Sequence, residues 1–247
     1  MNTATQAVTF RVHQVSPLGP DVYRVGLAAS HANSLRFEAG QYLKLILPDG
    51  ALKAFSIASA PESSLLELQV QAPPVGHGTP RLIEHFRQCD TVTCQLPFGR
   101  CRLPPDPTPV LMIAGGTGIA PMRAMLASSV ARGERRDIWL YWGVGTPESL
   151  YLDAELSALS AAHPRVRYRP VLAQSHARWG GAVGLPHELA LAEHACLSGV
   201  AVHCSGSAAM ARAVYRAFRT RGLPAERFHC DWIDLMRTLR VGDRSVT

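Results

Sequence analysis

The sequence predicts two domains of different architecture: an N-terminal antiparallel β-barrel over residues 1–104, and a C-terminal α/β domain over 105–247 with a doubly wound, five-stranded parallel sheet. Three observations predict this. Short segments of alternating apolar and polar residues fill the first half, as half-buried antiparallel strands require. Continuous apolar runs alternate with helical patterns in the second half, as strands buried on both faces require. Between them the run Leu103-Pro104-Pro105-Asp106-Pro107-Thr108-Pro109 holds four prolines in seven residues, which breaks any periodic structure and reads as an extended linker.

The barrel strands are expected at Val8 to Val15, Asp21 to Leu27, Tyr42 to Leu47, Ala54 to Ala58, Leu65 to Gln71 and Thr91 to Leu96. Turn signals such as Pro48-Asp49-Gly50 and Pro97-Phe98-Gly99 punctuate them. One helix interrupts the series at Pro80 to Arg87, with Thr79 as N-cap and Pro80 at the first helical position. In the second half the parallel strands are Val110 to Ala114, Ile138 to Trp142, Val166 to Leu172, Val200 to Cys204 and a last one near Arg227 to Ile233. The crossover helices are Pro121 to Ala131, Pro147 to Ala161, Pro186 to His194 and Ala208 to Arg221.

Composition narrows the class. The 247 residues are 47% hydrophobic and 18% charged, a globular balance. The net charge of +6 favours anionic small molecules such as nucleotides, but the cationic residues are dispersed, so no nucleic-acid footprint is expected. No run approaches the roughly 18 apolar residues of a spanning helix, and Met1 to Phe10 has no basic region followed by an apolar one. A cytoplasmic protein with no membrane partner is expected. The six cysteines form no C-x-x-C pair, and Cys89, Cys94 and Cys101 miss the spacing of a plant-type iron-sulfur cluster, so free thiols and no metal are expected.

The chemistry concentrates in a few segments. Ile113-Ala114-Gly115-Gly116-Thr117-Gly118-Ile119-Ala120-Pro121 joins the first parallel strand to its helix, where glycines let backbone amides approach an anion such as a pyrophosphate. It is not a P-loop, because no Gly-Lys-Ser/Thr follows, and Pro121 stands where a dinucleotide fingerprint has its third glycine. Strand two ends in Tyr141-Trp142-Gly143 with no carboxylate for a ribose diol. In the first half, Lys53 and Phe55 of Lys53-Ala54-Phe55-Ser56-Ile57-Ala58-Ser59 lie on one side of a strand and Ser56 on the other.

These segments together resemble the ferredoxin-NADP reductase superfamily, in the manner of a two-domain NAD(P)H-flavin reductase without an iron-sulfur domain. Gly116-Thr117-Gly118-x-x-Pro121 resembles the family's G-T-G-x-x-P nicotinamide loop, and Ser205-Gly206-Ser207-Ala208-Ala209-Met210 its C-G-P-x-x-M, with Ser205 where many members carry cysteine. Lys53 to Ser59 resembles R-x-Y/F-S-x-x-S, Phe37 to Tyr42 resembles F-x-P-G-Q-Y, and Gly76-His77-Gly78-Thr79-Pro80-Arg81-Leu82 resembles G-x-x-S/T-x-x-L. The resemblance implies Ser56 near the flavin N5, Phe55 over its ring or ribityl chain, and Lys53, Gly76, Gly78 and Thr79 toward its phosphate. Lys53 replaces an arginine and lacks its bidentate fork. Gln69, in the fifth strand, is counted with this flavin-binding set. On the nicotinamide side the set is Gly116, Thr117, Gly118, Pro121, Ser205, Gly206 and Met210, with Ser56 and Ser205 as the catalytic candidates. Cys204 reads as a buried strand cysteine. Cys230-Asp231-Trp232-Ile233 resembles A-D-P/A-F, which implies Trp232 near the flavin although one place displaced.

The implied reaction is hydride transfer from NADH or NADPH to FAD, FMN or riboflavin, with nicotinamide C4 and flavin N5 about 3 to 3.5 Å apart in a water-poor cleft between domains. Ala173-Gln174 and Gly145 stand where NADPH-preferring members carry Ser-Arg and Arg, so NADH is expected, with Arg178 the residue able to reverse that. Three roles are compatible with the sequence: a reductase releasing reduced flavin, a flavin-retaining component passing electrons to a ferredoxin or oxygenase, and a non-catalytic nucleotide-binding redox sensor. The tail Leu235 to Thr247 has no cysteine cluster, against a dihydroorotate dehydrogenase subunit.

Overall fold

The computed structural model describes residues 4–29, 35–72 and 79–232, and for 79–81 the backbone alone. The chain forms two compact units. One runs to Arg102 and takes in Ala120–Glu134; the other comprises Leu103–Ile119 and continues from Arg135.

The first unit is an antiparallel sheet of β1 (Gln6–Pro17), β2 (Val22–Ala29), β3 (Tyr42–Ile46), β4 (Leu52–Ser56), β5 (Leu66–Gln71) and β6 (Thr91–Phe98), in the order β4-β3-β6-β1-β2-β5. A bridge from Ile57, just past β4, to Leu68 of β5 joins the two edges, so the sheet curls into a barrel. Closure removes edges that would otherwise expose unpaired backbone groups. The alternation read from sequence supplies the interior: Phe10, Val25, Leu27, Leu43, Leu45, Leu68, Val70 and Leu96 are fully or nearly fully buried in one cluster. Helix α1 (Thr79–Gln88) caps that cluster with Leu82, Ile83 and Phe86. Buried Cys94 is an inert thiol, pushed up to about 12 by desolvation. Helix α2 (Ile119–Ala131) is bonded to this unit: its Arg123 pairs with Glu67 at 3.4 Å, and Arg132, just past its end, with Glu62 at 2.8 Å.

The second unit carries a wholly parallel sheet of β7 (Val110–Gly115), β8 (Ile138–Val144), β9 (Val166–Leu172), β10 (Ala182–Val183), β11 (Ala201–Ser205) and β12 (Phe228–His229), ordered β10-β9-β8-β7-β11-β12. Helices α3 (Asp153–Ala162), α4 (Pro186–Glu193) and α5 (Ala208–Arg219) alternate with the strands. Three expectations need correction. The sheet has six strands, not five, because Ala182–Val183 pairs with β9; two residues at a sheet edge leave no apolar run to read. The last strand stops at His229, and Asp231 and Trp232 have helical backbone. The helix expected from Pro147 breaks into a 3-10 turn, Pro147–Ser149, before α3. There Leu150 leaves helical geometry and is buried with Leu152, a case of tertiary packing overriding local propensity. Gly76 and Gly78, the Thr79 side chain, Ile233 and the tail lie outside the described residues.

β11 also carries a costly group. His203 is fully buried, stacks on His229 with ring centroids 4.8 Å apart, and neither of its ring nitrogens has a hydrogen-bond partner. Desolvation first, then the neighbouring His229 and Arg136, hold its pKa well below the model-peptide 6.5. The unfolded chain therefore binds a proton on this residue before the folded one does. Stability is full above about pH 6.5 and is lost as pH falls toward the folded pKa, by about 1.4 kcal/mol per pH unit. Denaturant titrations between pH 7 and 5 are expected to show this loss, and His203→Phe to flatten the slope by up to one proton. An unaltered slope in the variant would assign the acid sensitivity to other groups.

Candidate active site

In the second unit, β7 and β11 lie side by side and run parallel, with Ala114 opposite Ser205, so the loops that follow them emerge at the same edge of the sheet. Open α/β sheets bind ligands there, outside the carboxyl ends of the strands. After β7 the chain makes a 3-10 turn, Gly116–Gly118, and enters α2 directly. Gly118 is required because a β carbon on it would lie 2.1 Å from the carbonyl oxygen of Ser205, so the two loops touch backbone to backbone. Gly116 has φ +53°, is exposed, and has nothing within 4 Å of the space a β carbon would take. The turn is thus packed on one side and open on the other, the shape an approaching phosphate needs.

The second loop completes the arrangement. Met210 sets its sulfur against Gly115 and Gly206, 2.6 and 2.8 Å from the positions their β carbons would occupy. Ser207 caps α5 by accepting a hydrogen bond from the Met210 amide at 3.2 Å. Ser205 and Thr117 are half-buried, whereas Cys204 is buried in the cluster of Leu111, Ile113 and Tyr141. Strand alternation therefore turns the cysteine into the core and leaves the serine hydroxyl at the loop. Pro121 is buried at the third position of α2, where a helix needs no donor. The structure thus gathers Gly116, Thr117, Gly118, Ser205, Gly206 and Met210 into one half-site. Sequence reasoning missed Trp142: its indole N–H donates to the Gly116 carbonyl at 2.9 Å, and the only signal was an indole in the Tyr-Trp-Gly segment.

In the first unit, antiparallel register decides which side chains share a face. Ser56 is opposite Tyr42, and Ala54 is opposite Lys44. Tyr42 stacks on Phe98 with centroids 5.5 Å apart, and the Lys44 ammonium lies 4.3 Å over the same ring. Ser56 therefore stands beside Tyr42, from the Phe37 to Tyr42 motif, and beside Phe98 and Lys44, to which sequence reasoning gives no site role. Lys53 and Phe55 lie opposite Leu45 and Leu43 on the other face. Phe55 packs against the barrel core and the Lys53 ammonium stands 5.9 Å from its ring, so the strand does not bring these two together with the Ser56 hydroxyl.

The turn after Ser56 is held by a set of local bonds. Ile57 donates its amide to the Gln41 carbonyl at 3.1 Å, Ala58 to the Glu67 carbonyl at 2.8 Å, and the Ser59 hydroxyl accepts from the Glu67 amide at 2.9 Å. Buried Gln41 is itself clamped, accepting from the Glu38 amide at 2.8 Å and donating to the Gly99 carbonyl at 3.1 Å. Gln69 is buried and donates to Glu67 at 3.3 Å; the same carboxylate pairs with Arg24 and Arg123. Its observed role is in that polar network.

Two expected residues are engaged within the second unit. Trp232 packs against the core cluster of the second unit, with the Arg212 guanidinium 4.9 Å over its ring. Arg178 is engaged by the Glu148 carboxylate.

A family model described as an oxidoreductase NAD-binding domain matches residues 112–216, the span that holds both loops of the second unit. Reductase component 1 of terephthalate 1,2-dioxygenase from a Comamonas species is 33% identical over 237 residues, covering 92% of this chain and 68% of that protein. A ferredoxin-NADP reductase of Sorangium cellulosum is 34% identical over 179 residues, 70% of this chain and 73% of that one. Among solved structures, the Amycolatopsis cytochrome P450 reductase GcoB superposes with a TM-score of 0.84 at 30% identity, over 93% of this chain and 70% of that one. A barrel and a parallel nucleotide-binding sheet in this order, with identity of this extent to such reductases, show that the chain belongs to the ferredoxin-NADP reductase-like family.

Proposed function

We propose that this chain oxidises NADH through a flavin held on the barrel and passes the electrons to a protein acceptor of the ferredoxin or oxygenase-component class. As a member of its family it is an NAD(P)H- and flavin-dependent oxidoreductase. The observation that carries the proposal is the meeting of the Gly116–Gly118 turn with the Ser205 carbonyl at the ends of two adjacent parallel strands. The acceptor class is supported by the relatives, which are reductase components of a dioxygenase and of a P450. No helix among the described residues is long and apolar enough to cross a membrane. The chain is assigned to the cytoplasm, where thiols stay reduced, and none of its six cysteines is in a disulfide.

A bound reduced nicotinamide supplies the hydride and a bound flavin receives it. The chain's own residues orient these groups. The Gly116–Gly118 turn offers backbone amides to the dinucleotide phosphates, and Ser205 and Met210 border the same loop. On the barrel, Ser56 offers a hydroxyl to a flavin ring edge, beside the Tyr42–Phe98 stack. The residue range 1–104 is assigned to the flavin and 105–247 to the dinucleotide. A second reading, release of reduced FMN, FAD or riboflavin, is favoured by Lys53, whose ammonium lies over Phe55 and gives a weaker phosphate grip than arginine.

NADH is favoured because the end of β9 offers Ala173 and Gln174, and Arg178 is already paired with Glu148. A 2'-phosphate would meet a carboxylate before it met a free guanidinium.

Purified protein is expected to show flavin absorption and to reduce a ferredoxin-type acceptor with NADH without added flavin. Colourless protein whose NADH oxidation saturates with added FMN would favour the second reading. Ser56→Ala is expected to lower the rate of flavin reduction at saturating NADH by about tenfold to a hundredfold in stopped-flow traces; an undiminished rate would remove Ser56 from the reaction. Glu148→Ala is expected to raise kcat/KM for NADPH by about threefold to tenfold with little change for NADH. A wild-type preference for NADPH would overturn the coenzyme assignment.

A further inference from the structure

We propose that Trp142 is a positioning residue for the nicotinamide dinucleotide, acting through the single hydrogen bond from its indole to the Gly116 carbonyl. The inference rests on the reading of the Gly116–Gly118 turn as a phosphate loop. Trp142 is fully buried near the end of β8, one strand over from β7, in register with Ala114. The Tyr151 ring stands edge-on against it with centroids 5.2 Å apart and planes at 82°, which fixes the indole in place. An indole N–H only donates, and a buried one needs an acceptor. It finds the Gly116 oxygen at 2.9 Å. The same oxygen also accepts the Ile119 amide, so it serves both the sheet and the start of the helix.

The consequence follows from peptide geometry. In a planar trans peptide the carbonyl oxygen and the next amide hydrogen point in opposite directions. With the Gly116 oxygen drawn toward the buried indole, the Thr117 N–H is turned away from it, toward the open side of the turn. That is the orientation in which an amide donates to a phosphate oxygen. Glycine at φ +53° gives the turn this shape, but glycine also tolerates many alternatives. A rotated 116–117 peptide would present a carbonyl oxygen to an anion where a donor is needed. The indole bond selects the productive orientation before the ligand arrives, which is preorganisation.

The test uses the full chain with Trp142 replaced by β-(3-benzothienyl)alanine, in which sulfur stands in for the N–H, and in parallel Trp142→Phe. Two hydride donors are compared: NADH, and an N-benzyl dihydronicotinamide that carries no phosphate. The ratio of kcat/KM for NADH to that for the phosphate-free donor is expected to fall about tenfold in the benzothienyl variant, as loss of one buried hydrogen bond implies, with the NADH effect residing in KM. An unchanged ratio, or an equal loss with both donors, would overturn the positioning role, even if Trp142→Phe failed to fold. Wild-type protein that showed no preference for NADH over the phosphate-free donor would instead overturn the reading of the turn as a phosphate loop.

Discussion

The contact on which the proposed nucleotide half-site depends is between two pieces of backbone: the α carbon of Gly118 against the carbonyl of Ser205. Adjacent parallel strands must deliver their following loops to one edge, so the pairing of β7 with β11 makes the meeting unavoidable. Only a residue without a β carbon lets the loops close to the observed distance. Once they do, the placement of Ser205 at the loop and Cys204 in the core follows from strand alternation alone.

A different device builds the barrel half. Antiparallel register sets Ser56 beside Tyr42, and cross-strand stacking then adds Phe98 and Lys44 to the same face. The turn after Ser56 is stiffened by Gln41, Ser59 and the backbone of Glu67. The Glu67 carboxylate then draws Arg24, Gln69 and Arg123 into one network, and Arg123 belongs to the helix that begins right after the glycine turn. Its side chain and that of Glu67 are mostly shielded, so removing the carboxylate would leave the Arg123 charge with little water to replace it. That chain of bonds gives the region a rigidity that an exposed ion pair would not supply.

The second unit shows what a mostly apolar sheet tolerates. His203 and His229 stack inside it, and Tyr141 sends its hydroxyl to Glu193 at 2.7 Å, with Arg169 completing the ion pair. The tyrosine network is satisfied and reaches the surface; the His203 ring is neither. The same sheet therefore holds a polar group that adds rigidity and one that stores acid sensitivity.

The sequence by itself determined the architecture and the positions of both motifs. Period-two alternation, continuous apolar runs and a proline-rich linker are local signals, and so are Gly116-Thr117-Gly118 and the segment around Ser56, because each is written in neighbouring residues. What it could not show was set by partners distant along the chain. The edge strand Ala182–Val183 exists only because β9 offers a ladder, and the break at Leu150 only because the core accepts that side chain. Tyr42, Phe98 and Lys44 gather on the Ser56 face only through cross-strand register and stacking, and Arg178 is claimed by a carboxylate thirty positions earlier. The bond from Trp142 to Gly116 spans twenty-six residues. Which groups fill a hydrogen-bond or packing vacancy depends on tertiary neighbours, and only the folded chain supplies them.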